Sequence, residues 1–522
     1  MSFTSIDFLA FFGILIILYY LLPKKIQWIV LLVASYTFYL LTGIQYLAFI
    51  LFTTISTYLV TLYMDHNHKV QTEYLKQHKD DMSKDEKKAY KKSMKSKDRR
   101  WFIVTIAVNF GILFFCKACL VEPLHSLSNT GVISFLSVGL PFGISFYMFQ
   151  SMGYVIDVYR GKAEAEHNFF KLALFVSFFP QLVQGPISKW EQLKESLFAQ
   201  HSFDRRQVAF GLQRILWGFF KKLVIADRIA VAIGTLKGTE YTGVSFFLLT
   251  AFYAVQIYGD FTGGIDIAIG VGETLGIKMP ENFIRPFFSK NIAEYWRRWH
   301  ISLNEWMKSY IFYPITVSGP MLKLAVNSRK KFGKFGMRLP VYIGSILTWL
   351  GTGVWHGFNL HFIVWGLLNC FVIVISEELA PAYEKFHEKC AWSNTKGYNI
   401  FQMIRMFVLM NLIRATDLFN DVGDYFRRLG SLAWNFNFHV LWDGTLMNLG
   451  LSAADYIILI AGIIVMFLVS FFSRDDVSVR VKLQKVPTAV RYILFLVLLI
   501  VVILFGSYGI GYDASSFIYN QF

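Results

Sequence analysis

The chain has 522 residues, of which 55% are hydrophobic and only 16% are charged. This composition excludes an ordinary soluble domain and is typical of a polytopic membrane protein. The formal net charge of +16 could indicate a nucleic-acid partner, but the basic residues gather in a few segments between hydrophobic spans. The positive-inside rule explains that distribution, so we expect a lipid bilayer and no nucleic acid as a partner.

The N-terminal third of the chain begins with an uncharged segment, residues 8–22. No basic leader or small-residue cleavage site precedes it, so we expect a retained first helix and not a cleaved signal. Residues 66–100 then carry twelve Lys or Arg against six Asp or Glu, which predicts a basic cytoplasmic loop. A role in binding lipid headgroups is an alternative for this loop. Cys116 and Cys119 follow on one apolar helix with no second ligand pair, so we expect no metal site.

The central segment of residues 172–188 is too short to span a membrane simply and is interrupted by Pro180, Gly185 and Pro186. We predict a re-entrant hairpin there, because non-helical backbone at membrane depth must be buried in protein or line a cavity. Counting hydrophobic segments predicts about ten to thirteen membrane-embedded helices in a single membrane domain, residues 1–522. Basic residues at 23–25, 66–100 and 160–162, placed inside, put both termini outside.

Two histidines lie in hydrophobic, aromatic-rich context, where an ionisable group is a functional candidate. Residues 295–315 predict a helix with His300 on an interior face and an ion pair between Glu294 and Arg298; the residues sharing that face are Trp296, Trp299, His300 and Leu303. Residues 347–366 predict a helix that ends at His356, among glycines, before a second helix begins. Imidazole, with a pKa of about 6.5, suits a proton acceptor in acyl transfer. A core histidine bonded to backbone is the alternative for both, and the expected role of His361.

These motifs resemble those of bacterial membrane-bound O-acyltransferases. The two histidine segments are similar to the paired signatures of that family, and residues 143–162, 174–188, 218–228, 257–270 and 280–300 match the order and spacing of the alginate and peptidoglycan O-acetyltransferase subgroup. Lys308 and Ser309 depart from the subgroup's first motif. The run from Asp260 to Gly264 reads DFTGG where the subgroup has DFSGY. We expect both departures to affect the identity of the acceptor or partner more than the chemistry.

The resemblance implies helices around a central tunnel, with His356 as the catalytic histidine and His300 as the second motif histidine. The tunnel-lining residues are then Trp296, Trp299, Trp355, Asn304 and Asp260. Basic residues at the inner mouth would attract the phosphates of a CoA-type donor, and the candidates are Lys221, Lys222 and Arg228, with ordinary positive-inside anchoring as the alternative.

The function that the resemblance implies is O-acetylation of an extracytoplasmic polysaccharide from a bacterial cytoplasmic membrane. No bound cofactor is expected, because acetyl-CoA would be the donor substrate. No separate soluble domain is evident in the sequence, so final transfer would need an extracytoplasmic partner similar to SGNH hydrolases. D-alanyl transfer to teichoic acid and a non-enzymatic transporter are the alternatives; against a transporter, no inverted repeat of broken helices is evident.

Overall fold

The computed structural model describes residues 2–119, 140–238, 241–473, 477–508 and 517. This part of the chain is mainly helical, and its one β-type pairing is an isolated antiparallel bridge between Phe283 and Trp299. The described α-helices are α1 (Ile6–Leu21), α2 (Gln27–Leu40), α3 (Leu47–Gln77), α4 (Lys84–Ala118), α5 (Ile144–Tyr159), α6 (Phe169–Ser177), α7 (Phe179–Gln184), α8 (Trp190–Phe198), α9 (Arg205–Phe219), α10 (Asp227–Lys237), α11 (Val244–Thr274), α12 (Ile292–Arg298), α13 (Ile301–Met307), α14 (Tyr313–Thr316), α15 (Gly319–His356), α16 (Leu360–Glu378), α17 (Ala380–Lys389), α18 (Lys396–Arg414), α19 (Val422–Ser431), α20 (Ala453–Phe472), α21 (Val479–Leu483) and α22 (Thr488–Phe505).

Six of the described helices are long and apolar enough to cross a membrane, judged by length and composition. They are α3 with its preceding turn, α4, α11, α16, α20 and α22. Shorter apolar helices at Ile6–Leu21 and Phe169–Gln184 add to these six. The predicted all-α polytopic fold class is confirmed. The C-terminal end, which was predicted to lie outside, falls partly beyond the described residues.

The helices group into two compact units, each built from separate stretches of the chain. The first comprises Met1–Ser2, Ile6–Val208 and Gly272–Pro280, and the second comprises Phe3–Ser5, Ala209–Val271 and Glu281–Phe522. In the first unit, α6 ends at Ser177 and α7 begins at Phe179, so residues 172–188 contain the predicted break. Every residue from 172 to 188 is buried, which satisfies the requirement for irregular backbone inside a membrane protein.

The predicted basic loop at residues 66–100 is wrong in its secondary structure, because most of this segment is helical. Helix α3 continues to Gln77, and α4 begins at Lys84. Ser83 caps α4 and forms a capping box with Glu86, with the Glu86 backbone N–H donating to Ser83 Oγ at 3.2 Å. The segment is rich in Lys and contains no Gly or Pro, which favours helix even without an apolar face.

This helical hairpin is tied together at two levels within the first unit. The rings of Tyr74 and Tyr90 stack with centroids 4.4 Å apart near the turn. Closer to the apolar parts of the helices, Asn67 Nδ2 donates to Asp98 Oδ1 at 2.7 Å, and Asp98 is only 1% exposed. A buried, hydrogen-bonded carboxylate fixes the two helices more firmly than exposed charges could.

In the second unit, α11 packs against the segment that continues α9 through a π-helical stretch, Phe220–Ala226. The two backbones approach closely because glycine stands on both sides. A Cβ placed on Gly263 would lie 2.9 Å from the Gly218 carbonyl oxygen, and one on Gly259 would lie 3.0 Å from the Lys221 carbonyl oxygen. Small residues are the usual means of such close helix contact in membranes.

The same contact holds buried charges that are paired with one another. Lys222 Nζ lies 2.6 Å from Asp260 Oδ1 and 2.7 Å from Asp227 Oδ1. Its neighbour Lys221 lies 2.6 Å from Asp266 Oδ2. Because Asp260 and Asp266 belong to a candidate membrane span, these carboxylates depend on their cations to stay charged and buried.

We predict that the 66–100 hairpin faces the cytoplasm, because its basic residues resist translocation. Asp81 is exposed in the turn between α3 and α4 and does not cap either helix, so Asp81→Cys should not disturb the hairpin. In whole cells, an impermeant thiol reagent should leave this cysteine unlabelled until the membrane is permeabilised. The parent chain gives the background from its own cysteines, and labelling above that background in intact cells would reverse the topology.

We also predict that Lys222→Met destabilises the second unit more than Asp260→Asn does. The first change leaves two carboxylates without their shared cation, at a cost of about 3–5 kcal/mol. The second leaves Lys222 with Asp227 and an amide oxygen. Thermal unfolding in detergent measures the order. Arg427→Ala, which removes an exposed ion pair with Asp424, is the control. Equal melting temperatures for Lys222→Met and Arg427→Ala would contradict a structural role for the buried pair.

Candidate active site

The first histidine motif is broken at the histidine itself. Helix α12 ends at Arg298, Trp299 is extended, and α13 begins at Ile301. His300 has a φ of 48° and a ψ of 54°, a left-handed conformation that a residue other than glycine seldom adopts. The prediction of one continuous helix through residues 295–315 is therefore wrong, although the predicted pair of Glu294 and Arg298 is confirmed at 2.8 Å.

The side chain of Asn304 stabilises this break. Its Nδ2 donates to the carbonyl oxygens of Trp296, Trp299 and His300 at 2.7, 2.7 and 3.2 Å. These are carbonyls that a continuous helix would have satisfied within its own backbone. On the other side, the Ile301 N–H donates to the Asn282 carbonyl oxygen at 3.0 Å. Asn304 was predicted as a tunnel residue, and the contacts it makes here are to backbone.

The break turns His300 into the protein, where it is 2% exposed. Its Nδ1 lies 3.3 Å from Asn282 Oδ1, an oxygen that also accepts from the Ser302 backbone N–H at 3.0 Å. Because Asn282 Oδ1 can only accept, this contact requires the proton on His300 Nδ1 and leaves Nε2 as the basic nitrogen. The ring packs edge-on against Phe261, with centroids 4.9 Å apart.

The second histidine motif has the predicted form. Helix α15 ends at His356, and α16 begins at Leu360. The two helices fold back closely, since a Cβ on Gly353 would lie 2.6 Å from the Phe362 carbonyl oxygen, and one on Gly366 would lie 2.5 Å from that of Trp349. Glycine at both positions allows the close approach. His356 is thereby buried, with 8% of its surface exposed.

Trp355 brings the two histidines together. Its ring centroid lies 6.1 Å from that of His300 and 4.8 Å from that of His356. His356 in turn packs edge-on against Trp365, with centroids 4.9 Å apart. Two motifs separated by more than fifty residues of sequence therefore converge on one buried aromatic cluster. It contains two bases in surroundings that restrict water, which suits proton transfer coupled to acyl transfer.

Of the remaining predicted tunnel residues, the two tryptophans pack among aromatic rings, whereas Asp260 forms an ion pair. Trp296 belongs to the cluster, 5.8 Å from Trp365 between ring centroids, and Trp299 stacks on Tyr295 at 5.7 Å. Asp260, in contrast, is the buried partner of Lys222.

The predicted donor-binding residues are engaged with carboxylates. Lys221 contacts Asp266, Lys222 contacts Asp260, and Arg228 contacts Asp455. Lys221 and Lys222 are also buried, at 4% and 1% exposure. Groups placed in this way are not presented to the phosphates of a donor, so this arrangement gives the donor-binding prediction no support.

Sequence reasoning missed Arg414, at the end of α18. Its guanidinium lies over the Trp299 ring, 4.0 Å from the centroid, and its Nη2 donates to Tyr295 Oη at 3.1 Å. Arg414 is buried, and its cation–π contact stabilises the Trp299 ring within the first histidine motif. Arg414 follows the uncharged segment 406–413, and a basic residue at the end of such a segment is a signal that could have identified it.

A tunnel reaching both histidines stays a prediction. Neither the cavity of about 1230 Å³ beside α3 nor the cavity of about 370 Å³ beside α11 is lined by His300 or His356. Within the described ranges, no three His, Cys, Asp or Glu side chains gather as a metal site requires.

Comparison with known proteins identifies the family of the chain. Residues 31–327, which include His300, match the family described as MBOAT, membrane-bound O-acyltransferase family. The chain is 33% identical over 437 residues to the probable alginate O-acetylase AlgI of Pseudomonas putida, covering 81% of each chain. It is 31% identical over 400 residues to the peptidoglycan O-acetyltransferase of Helicobacter pylori, covering 70% of this chain and 67% of the relative. It is 30% identical over 277 residues to the teichoic acid D-alanyltransferase of Bacillus subtilis, covering 52% of this chain and 64% of the relative. The chain therefore belongs to the membrane-bound O-acyltransferase family and is an O-acyltransferase.

Proposed function

We propose that this enzyme takes an acetyl group from a cytoplasmic thioester donor, acetyl-CoA, and passes it across the membrane for O-acetylation of an extracytoplasmic polysaccharide. The observation that carries the proposal is the convergence of His300 and His356 on Trp355. The names of the relatives from Pseudomonas putida and Helicobacter pylori support acetyl as the acyl group and a surface polysaccharide as the final acceptor.

The chemistry requires one proton acceptor. The oxygen of an acceptor hydroxyl attacks the thioester carbonyl carbon and forms a new C–O bond. The C–S bond of the donor then breaks. His356 takes the hydroxyl proton and returns it to the departing thiolate, so the step is balanced without an external acid or base. Burial of His356 among Trp355, Phe362 and Trp365 limits competing hydrolysis.

His300 acts beside this base in the proposal. The Asn282 contact fixes its tautomer, so Nε2 is the nitrogen that can hold or release a proton. The left-handed backbone at His300 is a strained conformation of the kind that clusters at functional sites, which supports a functional role over simple core packing.

The donor and the partner belong to the proposal as well. Acetyl-CoA is a substrate and not a bound cofactor, and Lys221, Lys222 and Arg228 are not carried forward as its phosphate ligands because each is engaged with a carboxylate. We further propose that an extracytoplasmic partner similar to SGNH hydrolases completes the transfer to sugar. The site of the reaction is a bacterial cytoplasmic membrane, with both termini outside.

D-alanyl transfer to teichoic acid is the second candidate, because a relative from Bacillus subtilis carries that name. That similarity covers 52% of this chain, against 81% for the alginate O-acetylase relative. The two functions differ in the donor. Purified protein in proteoliposomes should release free CoA thiol from radiolabelled acetyl-CoA when acceptor is present; turnover of a D-alanyl carrier thioester but not of acetyl-CoA would favour the second candidate.

We predict that His356→Ala lowers acyl transfer by about 10² or more, because the general base is lost. The variant should insert and purify like the parent chain. His439→Ala, an exposed histidine of the same unit, is the control and should keep its activity. Release of CoA thiol measures the rate. Near-normal activity in a well-folded His356→Ala protein would remove the assignment of this residue as the base.

A further inference from the structure

Helix α16 carries a stripe of buried polar side chains next to the histidines. His361, Trp365 and Asn369 are spaced four residues apart, which places them along one face of the helix. They are 5%, 5% and 0% exposed. Because α16 is a candidate membrane span, polar residues at this depth call for a functional explanation.

Each member of this polar stripe leaves one buried atom without a hydrogen-bond partner in the described part of the chain. These atoms are His361 Nδ1, Trp365 Nε1 and Asn369 Oδ1, while Asn369 Nδ2 donates to the Trp365 carbonyl oxygen at 2.8 Å. Trp296 Nε1, on the facing motif, is in the same state. Buried polar groups are almost always hydrogen-bonded in native proteins, so these neighbouring atoms are the ones that the polar groups of a bound substrate could satisfy.

The stripe lies next to the proposed base. Trp365 lies against His356, with ring centroids 4.9 Å apart, and its ring is 5.8 Å from that of Trp296. One indole N–H donor, that of Trp365, therefore stands beside the proposed base, the indole of Trp296 packs against Trp365, and the amide oxygen of Asn369 follows one helical turn further along α16. A thioester carbonyl oxygen needs donors, and an acceptor hydroxyl needs a group that accepts, so the set fits the two reactants of ester formation.

We propose that the polar stripe of α16 is one wall of the path taken by the acyl group, and that the indole N–H groups of Trp365 and Trp296 bind the acyl carbonyl oxygen. This inference rests on the proposed function. When the hydroxyl oxygen attacks, the electron pair of the carbonyl double bond moves onto that oxygen, and the two N–H groups stabilise the oxyanion. The pair returns as the C–S bond breaks, and the thiolate takes the proton held by His356. Donors already in place in a water-poor site stabilise this charge without reorganisation.

The stripe has a competing structural explanation, in which the tryptophans only fill space. The two explanations differ in what the N–H does. Packing depends on the shape of the ring, whereas oxyanion binding depends on the single donor atom. Trp349 supplies a matched control, because its ring packs against both of these tryptophans. Its centroid lies 4.8 Å from that of Trp296 and 5.9 Å from that of Trp365.

The test replaces Trp365 with 3-benzothienylalanine, in which sulfur stands in place of the N–H and the ring shape is kept. We expect kcat for acetyl transfer from acetyl-CoA to fall by about 10²-fold, as is typical when one hydrogen bond to an oxyanion is lost. The Michaelis constant for acetyl-CoA should change little. The same replacement at Trp349 should change kcat far less. Equal losses at the two positions would support packing and overturn the inference.

A second variant separates function from stability. Asn369→Leu removes the buried Oδ1 and keeps the size of the side chain, so the melting temperature should stay the same or rise. The inference predicts that kcat/KM for the acceptor nevertheless falls. If the 3-benzothienylalanine variant at Trp365 and the Asn369→Leu variant are both fully active while His356→Ala is inactive, the inference fails and the proposed function stands. Full activity in all three variants would overturn both.

Discussion

The amide of Asn304 donates to three backbone carbonyls, and the geometry of the candidate site depends on this contact. Without this contact, we expect residues 292–307 to form one continuous helix, in which His300 would not be left-handed. A left-handed residue that is not glycine costs about 1–3 kcal/mol, and the Asn304 and Asn282 contacts offset that cost. The result is a histidine turned into the aromatic cluster with one ring nitrogen already engaged.

The second histidine reaches the same cluster by a different physical route. Gly353 and Gly366 let α15 and α16 approach until backbone meets backbone, and His356 stands at the end of that contact. The aromatic rings then fill the space between the two motifs. Neither route uses the buried ion pairs of Lys221 and Lys222, which instead hold the π-helical stretch against α11. Charge secures the packing of this unit, while aromatic contacts assemble its site.

Much of this could be predicted from the sequence, and the failures have identifiable causes. His300 and His356 stand out because ionisable side chains are rare in hydrophobic, aromatic surroundings. The break at His300 leaves no local signal, because it depends on a side chain four residues later and on Asn282. Asp266 and Asp260 lie 45 and 38 residues from Lys221 and Lys222 in sequence, so a pattern of basic residues alone could not identify these partners. Asp227, the second partner of Lys222, lies in the same motif. The 66–100 hairpin was missed because its charge concealed its helix propensity.

The central claim is that the acyl group passes between the two histidine motifs, and a structure with a bound donor analogue tests it most directly. We would determine the structure by electron cryomicroscopy in lipid nanodiscs, with a ketone analogue of acetyl-CoA that cannot transfer its acetyl group. The account predicts density for the acetyl end against His356, Trp365 and Trp296. An analogue whose acetyl end is bound away from both histidines, for example in the cavity lined by Asp65, Lys69 and Lys194, would contradict it.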